Sequence, residues 1–137
     1  MNTLLAAHAA ATWALVGLIW MVQLVHYPLF AKIGAEQFRH YHALHGRQIT
    51  WIVAPLMLTE LVTALLWLAG GEKAMWLWIS LVPLAFVWVA TWRVQIPLHR
   101  ELAKGFDPET HRRLVSSNWW RTGAWTIRGV CVLYGLS

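Results

Sequence analysis

Polar residues of ligand-binding type recur at helical spacing inside apolar stretches of this sequence. Three pairs lie three or four residues apart, which puts each pair on one face of a helix: Gln23 with His26, His42 with His45, and Gln95 with His99. A fourth stripe carries His111, Asn118, Arg121, Trp125 and Arg128 at spacings of three, four and seven. Each stripe can therefore turn its polar groups toward a common interior.

Imidazoles supplied by separate helices are ligands for heme b and for transition metals such as iron, copper or zinc. The candidate ligands are His26, His42, His45 and His99. For heme b, we expect His26 to pair with His45 or His99. Neither an HExxH nor an ExxH motif occurs, which argues against the zinc-protease and di-iron carboxylate classes. The alternative is a structural role, in which each histidine contacts lipid headgroups or caps helix hydrogen bonds and binds no ligand.

Gln23, Gln95, Asn118 and Arg121 are the residues predicted to orient a ligand through hydrogen bonds. Arg121 suits an anionic group such as a propionate, phenolate or carboxylate.

A second arginine, Arg128, lies too deep in its apolar segment to reach water easily. Glu60 is the one carboxylate well inside such a segment, in the corresponding half of the chain's second apolar stretch. The sequence therefore predicts a buried Glu60–Arg128 ion pair.

Four segments of spanning length must position these residues, since about 20 apolar residues cross a bilayer. The predicted helices cover about 3–30, 35–69, 74–103 and 108–135. Short loops make consecutive helices antiparallel. The fold class predicted for residues 1–137 is all-α, a single integral membrane four-helix up-down bundle.

Along these helices, at 1.5 Å per residue, the polar pairs fall at a shared depth of roughly 6–18 Å from one end. That end carries most of the basic residues: Lys32, Arg39, Arg47, Arg100, Lys104, Arg112 and Arg113. By the positive-inside rule it faces the cytoplasm. We expect a multi-pass protein of a bacterial inner membrane with both termini outside.

The composition supports a membrane class, with 58% hydrophobic and 12% charged residues and a mean hydropathy of +0.49. The net charge of +5 is explained by residues flanking membrane segments, so no nucleic-acid partner is expected. The partners expected are the bilayer and either other membrane subunits or further copies of the chain. Of the 11 tryptophans, five lie deeper and are expected mainly to pack between helices, although they are placed to border a flat ligand: Trp88, Trp92, Trp119, Trp120 and Trp125.

The segments 23–30, 95–99 and 118–122 resemble patterns in small bacterial four-helix membrane proteins of unassigned function. The architecture is more distantly similar to the anthrone-oxygenase-like membrane family, in which an Asn/His-x-x-Arg-Thr segment lies in the last helix. Asn118, Arg121 and Thr122 occupy the matching positions. The resemblance implies oxidation of polycyclic phenols, but it carries over no catalytic motif.

Together these features predict a membrane-embedded redox or ligand-binding protein, with its His/Gln/Asn/Arg site between helices near the cytoplasmic face. One alternative is a non-enzymatic accessory subunit of a respiratory or photosynthetic complex. Another is a small transporter, because Val22-Gln23 and Val94-Gln95 both precede a Pro-Leu pair as in a duplicated hairpin.

Overall fold

A computed structural model describes residues 3–137 of the chain. Within that range the protein consists of four long helices and contains no strand, so the predicted all-α four-helix architecture is confirmed. We label them α1 (Thr3–Phe30), α2 (Ala35–Ala69), α3 (Met75–Leu102) and α4 (Pro108–Leu136). Their ends differ from the predicted ends by at most one residue.

Three of the helices are long and apolar enough to cross a membrane, namely α1, α2 and α3. Helix α4 has 29 residues, but its arginines and other polar residues lower its hydropathy. Large apolar side chains cover the outside of the bundle, with Trp51 79%, Val82 73% and Trp120 73% exposed. An exterior of this kind is matched to lipid rather than to water.

Helix ends follow from local sequence signals. At the start of α4, the Asp107 carboxylate accepts a hydrogen bond from the Thr110 backbone N–H at 2.7 Å, and Pro108 takes the first helical position. Hydrogen bonding by Thr110 holds the pKa of Asp107 below its ordinary value. Beyond α2, Gly71 adopts a φ of 78°, a left-handed conformation that favours glycine and ends the helix.

Two π-helical turns interrupt α1 and α3 at matching places, Val22–His26 and Thr91–Gln95. Each turn ends two residues before a proline, Pro28 in α1 and Pro97 in α3. Proline has no N–H for the carbonyl one turn earlier and its ring crowds that carbonyl. A wider turn just before the proline accommodates both effects, and π turns of this kind are frequent at functional sites.

Packing between the helices is uneven. Helix α1 packs along α2 and α4, and α3 packs along α4, whereas α2 and α3 barely touch. One apolar cluster lies mid-bundle around Leu15, Met57 and Trp125, and a second lies toward the basic loops around Phe30 and Phe38. The bundle is therefore closed on three seams and open on the fourth, between α2 and α3.

Candidate functional site

A cavity of about 660 Å³ occupies the open seam between α2 and α3, and we call it the cleft. Helices α1 and α4 contribute its floor. Most of its wall is apolar, and examples from the four helices are Ile19, Ile49, Trp92 and Trp125. Its polar lining comprises chiefly Tyr27, His42, His45, Gln95, His99 and Arg121. Apolar walls with a few convergent polar groups, at a volume between about 300 and 1,000 Å³, are typical of small-molecule sites.

At one side of the cleft, three side chains from three helices form a hydrogen-bonded chain. The Tyr27 hydroxyl lies 2.9 Å from His99 Nε2, and His99 Nδ1 lies 3.0 Å from His42 Nε2. A neutral imidazole has one N–H and one acceptor nitrogen, so His99 accepts at one ring nitrogen and donates at the other. This chain fixes the orientation of His99 at the wall of the cleft.

The four predicted histidine ligands do not all meet. His42 and His99 contact each other directly, and His45 lines the cleft beside them. His26 packs edge-on against the His45 ring, with 5.1 Å between ring centroids, and does not line the cleft. The Nδ1 atom of His26 is buried without a hydrogen-bond partner.

His42 and His99 contact each other too closely to hold a metal between their facing nitrogens in this arrangement. Metal–imidazole bonds of about 2.0–2.1 Å put two axial nitrogens roughly 4 Å apart across the metal. The facing nitrogens of His42 and His99 are 3.0 Å apart and hydrogen-bonded to each other. Within residues 3–137, no three or more His, Cys, Asp or Glu side chains are grouped so as to hold a metal ion.

The predicted ligand-orienting residues act mainly on one another. Gln23 Oε1 accepts from Asn118 Nδ2 at 2.8 Å, and Asn118 Oδ1 accepts from Arg121 Nη1 at 2.9 Å. Gln23 and Asn118 lie behind the lining of the cleft, and Arg121 lies at it. Gln95 lines the cleft and donates to Ser117 Oγ at 2.9 Å. The two amides on α1 and α4 therefore hold the arginine in place, and neither of them lines the cleft.

Arg121 is only partly satisfied by its neighbours. It is 6% exposed, its guanidinium lies 5.1 Å from the Trp125 ring centroid, and it interacts with the Tyr27 hydroxyl. Its Nε atom has no hydrogen-bond partner, and neither has Trp88 Nε1, on a second residue that lines the cleft. No carboxylate among the described residues forms an ion pair with Arg121. Two buried donors without acceptors thus belong to residues of one cavity.

On the far side of Trp125, the predicted Glu60–Arg128 ion pair is confirmed. Arg128 Nε donates to Glu60 Oε1 at 2.7 Å, and both side chains are 0% exposed. Trp125 Nε1 donates to Glu60 Oε2 at 3.2 Å, and Thr12 Oγ1 donates to Oε1 at 2.9 Å. Arg128 also donates to the Ser80 carbonyl and contacts His8 Nε2 at 3.1 Å. We call these residues the Glu60 network, in which the charges of the pair cancel.

Tyr27 is the site residue that the sequence reasoning missed, although a signal for it exists. It lies four residues after Gln23, on the same helical face, whereas the pair predicted from the sequence was Gln23 with His26, at a spacing of three. The π turn over Val22–His26 widens the helix at this point, so the spacing of four faces the interior and His26 is displaced. Of the deep tryptophans, Trp88, Trp92 and Trp125 line the cleft, and Trp119 and Trp120 are exposed.

Comparisons of the chain with protein-family models, with curated proteins and with solved structures found no match.

Proposed function

We propose that this protein binds a small, largely apolar molecule within the membrane, in the cleft between α2 and α3. The observation that supports this most directly is the pair of buried donors without acceptors, Arg121 Nε and Trp88 Nε1. A buried donor without a partner costs about 1–3 kcal/mol, and more when it is charged. An occupant that brings acceptor atoms to these donors removes that cost.

The shape of the cleft supports entry from the bilayer. Its opening is the seam where α2 and α3 barely touch, which in a membrane faces the lipid chains. Aromatic walls from Trp88, Trp92 and Trp125 suit a flat ring as well as an aliphatic chain. The ligand class is therefore a lipid-soluble molecule with one polar end.

The proposal places the protein in a bacterial inner membrane, with the basic loops in the cytoplasm and both termini outside. The charge asymmetry supports this orientation, since Lys32, Arg39 and Arg47 lie near the first loop and Lys73 alone lies in the second. A redox role belongs to the same proposal if the bound molecule is itself a redox carrier. Heme b and metal ions remain predictions that rest on the four histidines.

Occupancy can be tested by filling the cleft. Gly46 lines it, and a Cβ added there meets nothing within 4 Å. Gly46→Leu should therefore fold and exclude the occupant. Gly123→Leu is the matched control, because Gly123 has the same free space but lies in a groove on the outside, between α3 and α4.

Protein should be extracted with its native lipids into nanodiscs, and small molecules bound to it should be identified by native mass spectrometry. We expect an adduct that wild type and Gly123→Leu retain and Gly46→Leu loses. An adduct equally abundant in all three proteins, or absent from wild type, contradicts the proposal. An absorption spectrum and metal analysis of the same samples identify heme or a metal ion as the occupant.

A further inference from the structure

The buried interior of the bundle carries one positive charge too many. Its charged side chains are Glu60, Arg128 and Arg121, which are 0%, 0% and 6% exposed. The first two pair with each other. The other acidic residues of the chain are all exposed near helix ends: Glu36, Glu72, Glu101, Asp107 and Glu109. Arg121 is thus the unpaired cation.

Arg121 also lies close to the middle of its helix. It is 13 residues after Pro108 and 15 before Leu136, so it lies about 20 Å from one end of α4 and about 23 Å from the other. The headgroups of phospholipids flank a hydrocarbon core about 30 Å thick, so they do not reach a cation near the midplane. No carboxylate among the described residues is left to balance Arg121, so we assign the missing negative charge to a molecule that enters the core.

A neutral acceptor such as a carbonyl oxygen satisfies the hydrogen bonds of this site but leaves its charge unbalanced. A monoanion accepts the hydrogen bonds and also neutralises the charge. In a low-dielectric interior, an unpaired charge costs more than an unmade hydrogen bond. A free anion, however, does not cross lipid chains easily. The molecule has to arrive through the α2–α3 opening uncharged and lose a proton in the cleft.

We propose that the occupant is a weak oxygen acid that the cleft binds as its oxyanion, paired with Arg121; this rests on the proposed function. The O–H bond of the acid breaks, its oxygen keeps the electron pair beside the guanidinium, and the proton goes to water. The Tyr27–His99–His42 chain leads from the site toward the basic loops and supplies a route for that proton. Other titratable or charged groups that flank this chain are His26 on α1, His45 on α2, Arg100 on α3 and His111 on α4.

The test uses 4-nitrophenol and 4-nitro-1-naphthol, whose acid and anion forms have distinct absorption bands. Each probe is titrated into the full chain in zwitterionic nanodiscs at several pH values below the solution pKa of the probe. We expect the bound probe to show the anion band, with its apparent pKa lowered by at least one unit. Between the lowered and the solution pKa, the apparent dissociation constant should increase about tenfold for each unit of pH decrease, because there the bound probe is the anion and the free probe is the neutral acid.

Arg121→Gln should abolish the anion band and weaken binding of the probe at least tenfold. Arg113→Gln, an exposed cation on the same helix, is the control and should behave as wild type. If Arg121→Gln does not fold, the wild-type pH titration alone decides. A probe bound in its neutral form overturns the weak-acid inference and leaves the proposed function standing. Failure of both probes to bind also overturns the weak-acid inference, whereas the proposed function is decided by the native adduct that Gly46→Leu should lose.

Discussion

The Glu60–Arg128 pair allows a quantitative test of how this bundle tolerates buried charge. Both side chains are 0% exposed and 2.7 Å separates their facing atoms. Removing one partner of such a pair leaves the other charge uncompensated, which costs about 3–5 kcal/mol. Glu60→Gln and Arg128→Met should each lower the free energy of unfolding by about that amount.

The double variant discriminates between an ion pair and two independent structural residues. Without either charge, no uncompensated ion remains, and the loss should not exceed that of one single variant. The coupling energy from the cycle is then about 3 kcal/mol or more. Unfolding is followed by tryptophan fluorescence as the sodium dodecyl sulfate fraction of mixed micelles increases.

Lys104→Ala is the control, since the Glu101–Lys104 pair is exposed, at 58% and 72%, and should contribute under about 1 kcal/mol. Single variants within about 1 kcal/mol of wild type would show that these charges are not held in a low-dielectric interior. A double variant whose cost equals the sum of the singles would refute the pairing.

Three further predictions concern packing, the α4 cap and the tryptophan between the two polar groups. In thermal unfolding, Gly129→Ala should be less stable than Gly123→Ala. The Cβ at position 129 would lie 3.2 Å from the side chains of Trp13 and Val16, whereas the Cβ at position 123 has open space and should be neutral or stabilising by up to about 1 kcal/mol. Asp107→Ala should shorten α4 at its start by circular dichroism and hydrogen exchange. Since the folded-state pKa of Asp107 is lowered, its contribution to stability is present above the ordinary carboxyl pKa and is lost as pH falls through the lowered value. Trp125→Phe keeps an aromatic ring but loses the hydrogen bond to Glu60, which should cost about 1.5–3 kcal/mol in the same micelle titration and would be contradicted by wild-type stability.

Much of the fold could be predicted from the sequence because bilayer length and loop signals act locally. The start of α4 follows from Asp107 and Pro108 alone. The Glu60–Arg128 pair followed from elimination, since only one carboxylate lay deep enough to neutralise Arg128. In each case only one part of the chain could meet the physical requirement, which was a helix start in the first case and a negative charge for Arg128 in the second.

The arrangement of the site was less predictable because it depends on helix rotation. The π turns add a residue to α1 and α3, and this changes which side chains face the interior beyond that point. His26 and Tyr27 are adjacent in sequence, yet only Tyr27 reaches the cleft. The open α2–α3 seam likewise has no local signal in the sequence. It depends on how closely each helix packs against its neighbours, which no short segment determines.

Polar side chains extend through much of this bundle, from His42 near the basic loops to His8 near the N-terminus, with Trp125 joining the two parts. The indole can donate its one N–H to Glu60, but it has no acceptor nitrogen and cannot pass a proton on. The polar interior is therefore divided into two halves that do not exchange protons through this contact. Trp125 thus separates the Glu60 network from the titratable groups of the cleft, so a change of protonation at His42 or His99 does not reach the buried ion pair through this contact.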